Sequence, residues 1–374
     1  VRPFTIDVPD ELLDDLRRRL GTTRWPEKEP VDDWSQGIPL AYVQDVCAYW
    51  ADGYDWRSRE AALNRFDQFV TTIDGLDIHF VHARSPEPDA LPLLITHGWP
   101  GSVVEFHKVI EPLTDPVAHG GDSADAFHVI APSLPGFGFS AKPTETGWGI
   151  ERIADAWSEL MARLGHGRYL AQGGDWGSGV TAALGDLDAD HCAGIHVTLA
   201  MGARPDLTQE LTEEEQDAIA RGMEYQEWDS GYSKQQSTRP QTLGYGLVDS
   251  PAGQAAWILE KFWKWTDCDG HPENVLTRDE LLDNVMLYWI NGNGASSARI
   301  YWESFGKGPR HTVDVPAGVT VYPKEIFPPV RRWVEPAFTH IVHWARQERG
   351  GHFAALEVPD LFVADMRAFG RHFR

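Results

Sequence analysis

Short apolar runs, each closed by a turn or loop signal, recur along this chain and alternate with helical patterns. That alternation limits the possible fold more than any other feature. Phe69–Ile73 and Leu76–Val81 flank Asp74-Gly75, the turn signal of a β-hairpin. Pro92–Thr96, Phe127–Ala131, Tyr169–Gln172 and Cys192–Val197 read as further strands. Between two of them, Ile150, Ile153, Trp157, Leu160 and Leu164 fall on one face of an amphipathic helix. Strands and helices in alternation predict an α/β fold, with a mostly parallel sheet covered on both faces.

The alternation lapses over residues 203–312, which are acidic, aromatic and mainly helical in pattern, as in Leu281–Tyr288. Strand signals return at Val319–Tyr322 and Thr339–Trp344. A helical insertion this late predicts a cap over the carboxyl ends of the strands, where open α/β sheets bind ligands. The expected division is a core of 69–202 and 313–374, a cap of 203–312 and an extension of 1–68. In the extension, Leu12, Leu13, Leu16 and Leu20 share a helical face, with Asp10 and Glu11 in the first turn and Arg17, Arg18 and Arg19 near its end. This arrangement complements the helix dipole. Pro26 and a Trp- and Tyr-rich stretch follow, and the whole segment is expected to wrap the core.

Composition narrows the function. With 56 acidic against 33 basic residues, a net charge of −23 opposes attraction to nucleic acid or to an anionic membrane. Cys47, Cys192 and Cys268 are sparse and lack CxxC spacing, which argues against a disulfide framework or a zinc site. Neither a metal nor a cofactor is called for. The start of the chain lacks a signal-peptide pattern, and no apolar run reaches the roughly 18 residues that span a bilayer. A soluble, cytoplasmic protein with a small-molecule substrate is the expectation.

Three loops carry candidate chemistry. Gly173-Gly174-Asp175-Trp176-Gly177 joins a strand to a helix, with small residues flanking a central Asp. Such a bend exposes its central side chain as a nucleophile; the alternative is that Asp175 merely caps the helix. His97-Gly98-Trp99-Pro100 follows an earlier strand, where the main-chain N–H of Trp99, with that of Trp176, is placed to form an oxyanion hole. The alternative there is an ordinary Gly-Pro turn. Gly350-Gly351-His352-Phe353 follows the last strand, so His352 is the candidate base. His79, His128 and His196 sit within strands and read as structural.

Taken together, these stretches resemble the microsomal-type epoxide hydrolases along nearly the whole chain. Arg2-Pro3-Phe4, Gly75–Phe80, His97–Ser102, Gly173–Ser178, Asn284–Trp289 and Gly350–Ala355 carry the resemblance. It implies an α/β-hydrolase fold with a helical cap and a wrapping N-terminal extension. It also implies that water adds to an epoxide through a covalent ester on Asp175, released by His352. The family's acid position falls on Glu325 within Val321–Glu325, with Asp206 as the weaker candidate. Two cap tyrosines donate protons in the family: Ser297–Tyr301 matches one motif and gives Tyr301, while Asp229–Tyr232 gives Tyr232, with Tyr225 or Tyr245 as replacements. The resemblance suggests a homodimer, without the anchoring helix that precedes the matching region in mammalian members. The rival readings are a haloalkane dehalogenase, in which Trp176 binds halide, a non-catalytic small-molecule sensor, and an esterase. Cap tryptophans Trp228, Trp257, Trp263, Trp265, Trp289 and Trp302 suggest a bulky apolar epoxide.

Overall fold

The computed structural model describes residues 1–203, 207–308 and 311–374. Nine strands form one sheet: β1 (Arg2–Phe4), β2 (Gln68–Ile73), β3 (Leu76–Ala83), β4 (Leu91–Thr96), β5 (Phe127–Pro132), β6 (Tyr169–Gly173), β7 (Cys192–Val197), β8 (Ala317–Val321) and β9 (Ile341–Arg346). Their spatial order is β1-β2-β3-β5-β4-β6-β7-β8-β9. The β1, β2, β3 and β5 pairings are antiparallel, and from β5 to β9 all neighbours are parallel. The β2–β3 hairpin turns through Asp74 (φ 49°) and Gly75 (φ 76°), the left-handed pair that a two-residue turn requires. The short strand β1 carried no strand signal. At three residues it is held only by its register on β2.

The helices Ile150–Arg163 and Trp176–Leu187 pack against each other, the latter also against β6 and β7. Ile153, Trp157 and Leu160 of the first are buried, as their spacing predicts, and the Trp157 indole donates to Thr96 Oγ1 at 3.1 Å. In the helix Asp10–Gly21, Leu13, Leu16 and Leu20 are buried, but Leu12 is 46% exposed. Leu12 stands beside the apolar stripe, not in it.

Between β7 and β8 the chain forms helices, among them Glu213–Glu224, Gly231–Thr238, Pro251–Trp265, Arg278–Ile290 and Arg299–Ser304. Thr212 with Glu215 and Thr277 with Glu280 form capping boxes that fix two of their starts. The N-terminal segment clasps these helices. Tyr54 donates to Asp283 at 2.7 Å, Arg59 forks onto the same carboxylate, and the Trp50 indole meets Met286 Sδ at 3.1 Å. With β1 on the sheet edge and its helices on the insertion, the N-terminal segment ties the two together.

Three strand histidines are structural in their contacts. His79 bonds Gln68 and Ser133, and His128 Nδ1 accepts from the Ser85 amide. His196 Nε2 lies 2.9 Å from Asp365 Oδ2, while His343 Nε2 lies 2.8 Å from Asp365 Oδ1. Asp365, on the helix Pro359–Gly370, thereby joins that helix to β7 and β9. Burial alone would push its carboxyl up, but hydrogen bonds from His196, His343 and Thr320 outweigh burial and hold it well below the usual carboxylate range. A depressed carboxylate stabilises the fold above its unfolded pKa, about 3.9, and loses that contribution as pH falls through the folded value. Asp365→Asn is therefore expected to cost roughly 3 kcal/mol in denaturant unfolding at pH 7. The gap from the parent should close in increasingly acid buffer; a gap that stays constant down to pH 2 would contradict this account.

Candidate active site

Strand order reverses direction at β4 and β6, whose carboxyl ends open a crevice between them, the switch point at which α/β sheets hold ligands. The loop after β6 is a bend of unusual tightness. A Cβ on Gly177 would overlap the Thr96 carbonyl of β4, and one on Gly173 would overlap the Gly177 carbonyl. Only glycine fits at either position. Between them Asp175 adopts φ 49° and ψ −128°, outside the regions comfortable for a residue with a side chain. It sits at the N-cap position of the helix Trp176–Leu187, yet its side chain makes no capping bond. The capping alternative is thereby set aside.

Instead, the carboxylate faces across the crevice. The Trp99 amide donates to Asp175 Oδ1 at 2.7 Å, and Gly98 is so close to that carboxylate that a Cβ there would collide with it. The Trp176 amide heads the following helix, among the first N–H groups that have no carbonyl one turn back. His97, beside this loop, is fully buried; its Nδ1 bonds the Gly98 carbonyl and its Nε2 accepts from Leu134. Burial pushes His97 down to about 4, so it is a neutral strut at working pH.

On the other carboxylate oxygen, His352 Nε2 lies 3.4 Å from Asp175 Oδ2. His352 Nδ1 lies 2.6 Å from Glu325 Oε1, and both partners of that pair are buried. Glu325 follows β8 by four residues and His352 follows β9 by six, so adjacent parallel strands deliver the pair to one end of the sheet. Burial opposes a charge on His352, but the Glu325 carboxylate, with hydrogen bonds to Asp175 and Glu325, outweighs it and holds the imidazole well above its usual range. Glu105 lies near the same groups. Burial pushes its carboxyl up to about 8, which leaves it mostly uncharged beside Asp175 and His352 at neutral pH.

Opposite the carboxylate stand aromatic side chains. Tyr232 stacks on Trp99 with centroids 5.0 Å apart, and Tyr301 meets Trp99 edge-on at 5.8 Å and Trp176 at 4.8 Å. Tyr232 and Tyr301 are 5.7 Å apart. Burial first, and then neighbouring negative charge including Asp175, keeps both phenols well above their usual range and therefore protonated. Tyr225 is also present, its hydroxyl 3.0 Å from that of Tyr232. Tyr245 is 72% exposed and takes no part, and Asp206 lies outside the described residues. Of the six cap tryptophans, Trp265 reaches the site, against Tyr232 and His352. Trp228 is 78% exposed, Trp263 stacks on Trp34, and Trp257 donates to Gln236. The tryptophan count of the insertion thus reflects packing and surface more than a substrate.

Supporting residues escaped the motif reading. Asn284 Nδ2 donates to the Pro100 carbonyl at 2.7 Å and Asn284 Oδ1 accepts from Ser102, while Tyr288 donates to the Gly101 carbonyl at 2.7 Å. These bonds clamp the loop that aims the Trp99 amide. The run Asn284–Trp289 was visible as a motif, but its partners lie about 180 residues away in sequence.

A carboxylate at a strand–helix bend, faced by a histidine–carboxylate pair at the carboxyl end of a mostly parallel sheet, defines an α/β-hydrolase. Residues 1–106 match the family described as epoxide hydrolase N terminus, and residues 92–242 match the alpha/beta hydrolase fold family. A Stigmatella aurantiaca (strain DW4/3-1) protein, provisionally named an epoxide hydrolase, is 55% identical over 100% of this chain and 86% of its own length. Epoxide hydrolase 1 of Sus scrofa is 37% identical over 99% and 88%. The crystal structure of juvenile hormone epoxide hydrolase from the silkworm Bombyx mori superposes with a TM-score of 0.91 at 32% identity, covering 100% of this chain and 94% of that one. The chain belongs to the microsomal-type epoxide hydrolase family of enzymes. Among the described residues, no helix is long and apolar enough to cross a membrane.

One consequence of the His352 environment is open to direct measurement. Asp175→Asn removes a negative charge and alters the hydrogen bond at Nε2, so the His352 pKa is expected to fall relative to the parent. Titration of the histidine ring signals by NMR reads this; an unchanged value would mean that Asp175 does not act on His352.

Proposed function

We propose that this enzyme adds water to an epoxide to give a vicinal diol, through a covalent ester on Asp175. The observation that carries the reading is one carboxylate with the Trp99 amide on Oδ1 and His352 Nε2 beside Oδ2, facing two buried phenols. In the first step Asp175 displaces one epoxide C–O bond, and Tyr232 and Tyr301 hydrogen-bond the ring oxygen and protonate it as the ring opens. A neutral phenol suits this task because it keeps its proton until a more basic alkoxide forms. A halide leaving group needs no such proton, so the paired tyrosines favour an epoxide over a haloalkane.

In the second step His352, oriented by Glu325, takes a proton from the water that attacks the ester carbonyl. The ester itself prepares this base. Once Asp175 is esterified it carries no charge, so one of the interactions that hold the imidazole protonated is gone. His352 then becomes available as a neutral base when it is needed. The amides of Trp99 and Trp176 stabilise the oxyanion, each worth roughly 3–4 kcal/mol. The helical segment 203–312 acts as the cap that brings Tyr232, Tyr301 and Trp265 over the carboxylate. Its ring-lined inner face suits an aromatic, apolar epoxide. Three buried free cysteines fit a reducing, cytoplasmic setting.

With styrene oxide as substrate, His352→Gln is expected to accumulate one ester per chain, visible by intact mass, while turnover drops about 10²–10⁴-fold. Asp175→Asn should form no adduct. Sustained diol formation by Asp175→Asn would sink the mechanism.

A further inference from the structure

The described roles leave Tyr225 unused, although it stands within the site. Its hydroxyl lies 3.0 Å from the Tyr232 hydroxyl, and both side chains are buried. Tyr225 opens a single π-turn, Tyr225–Asp229, between two cap helices, and such turns are frequent at functional sites. Its ring meets Phe327 edge-on at 4.7 Å, two residues beyond Glu325, so the acid loop fixes where the hydroxyl points.

A phenol hydroxyl has one proton to donate. With both hydroxyls intact, either can donate to the other at this distance. After Tyr232 has given its proton to the epoxide oxygen, only one direction remains, from Tyr225 to Tyr232. A buried phenolate without donors is costly, and Tyr225 supplies one. One cation also faces this ring. The Lys261 ammonium lies 4.7 Å from the Tyr232 ring centroid and is held by Asp229 at 2.8 Å, which also accepts from the Trp265 indole. Tyr301 and Asp175 are the other ionisable groups acting on Tyr232.

We propose that Tyr225 is a third, positioning tyrosine of this site, whose hydroxyl holds the Tyr232 oxygen while the Tyr232 proton passes to the opening epoxide. This rests on the epoxide reading above. In that step an Asp175 oxygen–carbon bond forms, an epoxide carbon–oxygen bond breaks, and the Tyr232 proton ends on the new hydroxyl. The proton that His352 gives up once Asp175 is esterified restores Tyr232, and the proton that His352 then takes from water returns the imidazolium, so one water is consumed overall. Tyr225 itself gains and loses nothing in a turnover.

Tyr225→Phe keeps the ring and removes the hydroxyl. Single-turnover ester formation, followed by intact mass, should be measured with two probes. Styrene oxide needs a proton at its leaving oxygen; phenacyl bromide alkylates the same carboxylate and releases bromide without one. The variant should form the styrene oxide ester about 10- to 100-fold more slowly, as expected for a lost hydrogen bond to a charged group. Its phenacyl bromide rate should stay within twofold of the parent. Because the second probe reports on the same carboxylate, the ratio corrects for any partly unfolded variant. Equal slowing with both probes would make Tyr225 merely structural, and equal parent rates with both would remove any part for its hydroxyl. If the parent chain forms the phenacyl ester but none from styrene oxide, the epoxide reading itself fails, and the positioning claim with it.

Discussion

Two backbones meet where side chains are excluded, and the site depends on that contact. Gly177 lies against the Thr96 carbonyl at the end of β4, and Gly173 folds back onto Gly177. With no room for a Cβ, β6 turns into its helix within two or three residues and Asp175 is thrown up at the sheet's carboxyl edge. Its backbone conformation costs of the order of 1–3 kcal/mol, which the surrounding sheet and helix offset. The strain has a chemical use. It points one carboxylate away from the helix it would otherwise cap and toward the crevice between β4 and β6.

From that orientation the electrostatics follow. Two carboxylates, Asp175 and Glu325, share one buried imidazole between them. Their combined charge favours the imidazolium, and in the proposed reaction esterification of Asp175 removes one of the two. In the proposed reaction a single side chain is thus a positive partner to Asp175 before the first step and a neutral base in the second. Glu105 fits the same pattern: burial keeps it mostly protonated, so it does not add a third charge to the cluster. On the opposite side, burial raises the phenols and keeps them protonated.

The N-terminal segment and the insertion serve this geometry at a distance. Asn284 and Tyr288 reach from an insertion helix to the loop that carries Trp99, so the Asp175–Trp99 bond is braced from the insertion. Tyr54, Arg59 and Trp50 brace that helix in turn, from a segment whose first strand sits on the sheet edge. The helix carrying Asn284 is therefore pinned from both sides. An insertion held this way keeps two of its tyrosines in register with a carboxylate at the end of β6.

Much of this was legible in the chain. Strand and helix periods recovered β2 to β9 to within a few residues, because alternating burial writes a pattern that local order preserves. The glycines around Asp175 and the loops of Trp99 and His352 were legible for a related reason: each sits next to a strand end, and close approach demands small residues there. Tyr232 and Tyr301 came from resemblance, and the sequence left Tyr225 and Tyr245 as rivals to Tyr232. Tertiary structure placed Tyr225 on Tyr232 and Tyr245 in solvent. The strand β1, the clamp through Asn284 and the outward tryptophans were likewise decided by packing between distant segments. The sequence by itself determined the elbow and the loops that carry Asp175, Trp99 and His352, since those are local demands on backbone and residue size. Which side chains surround them depends on how an insertion of a hundred residues folds back over the sheet, and no local period encodes a contact across that span.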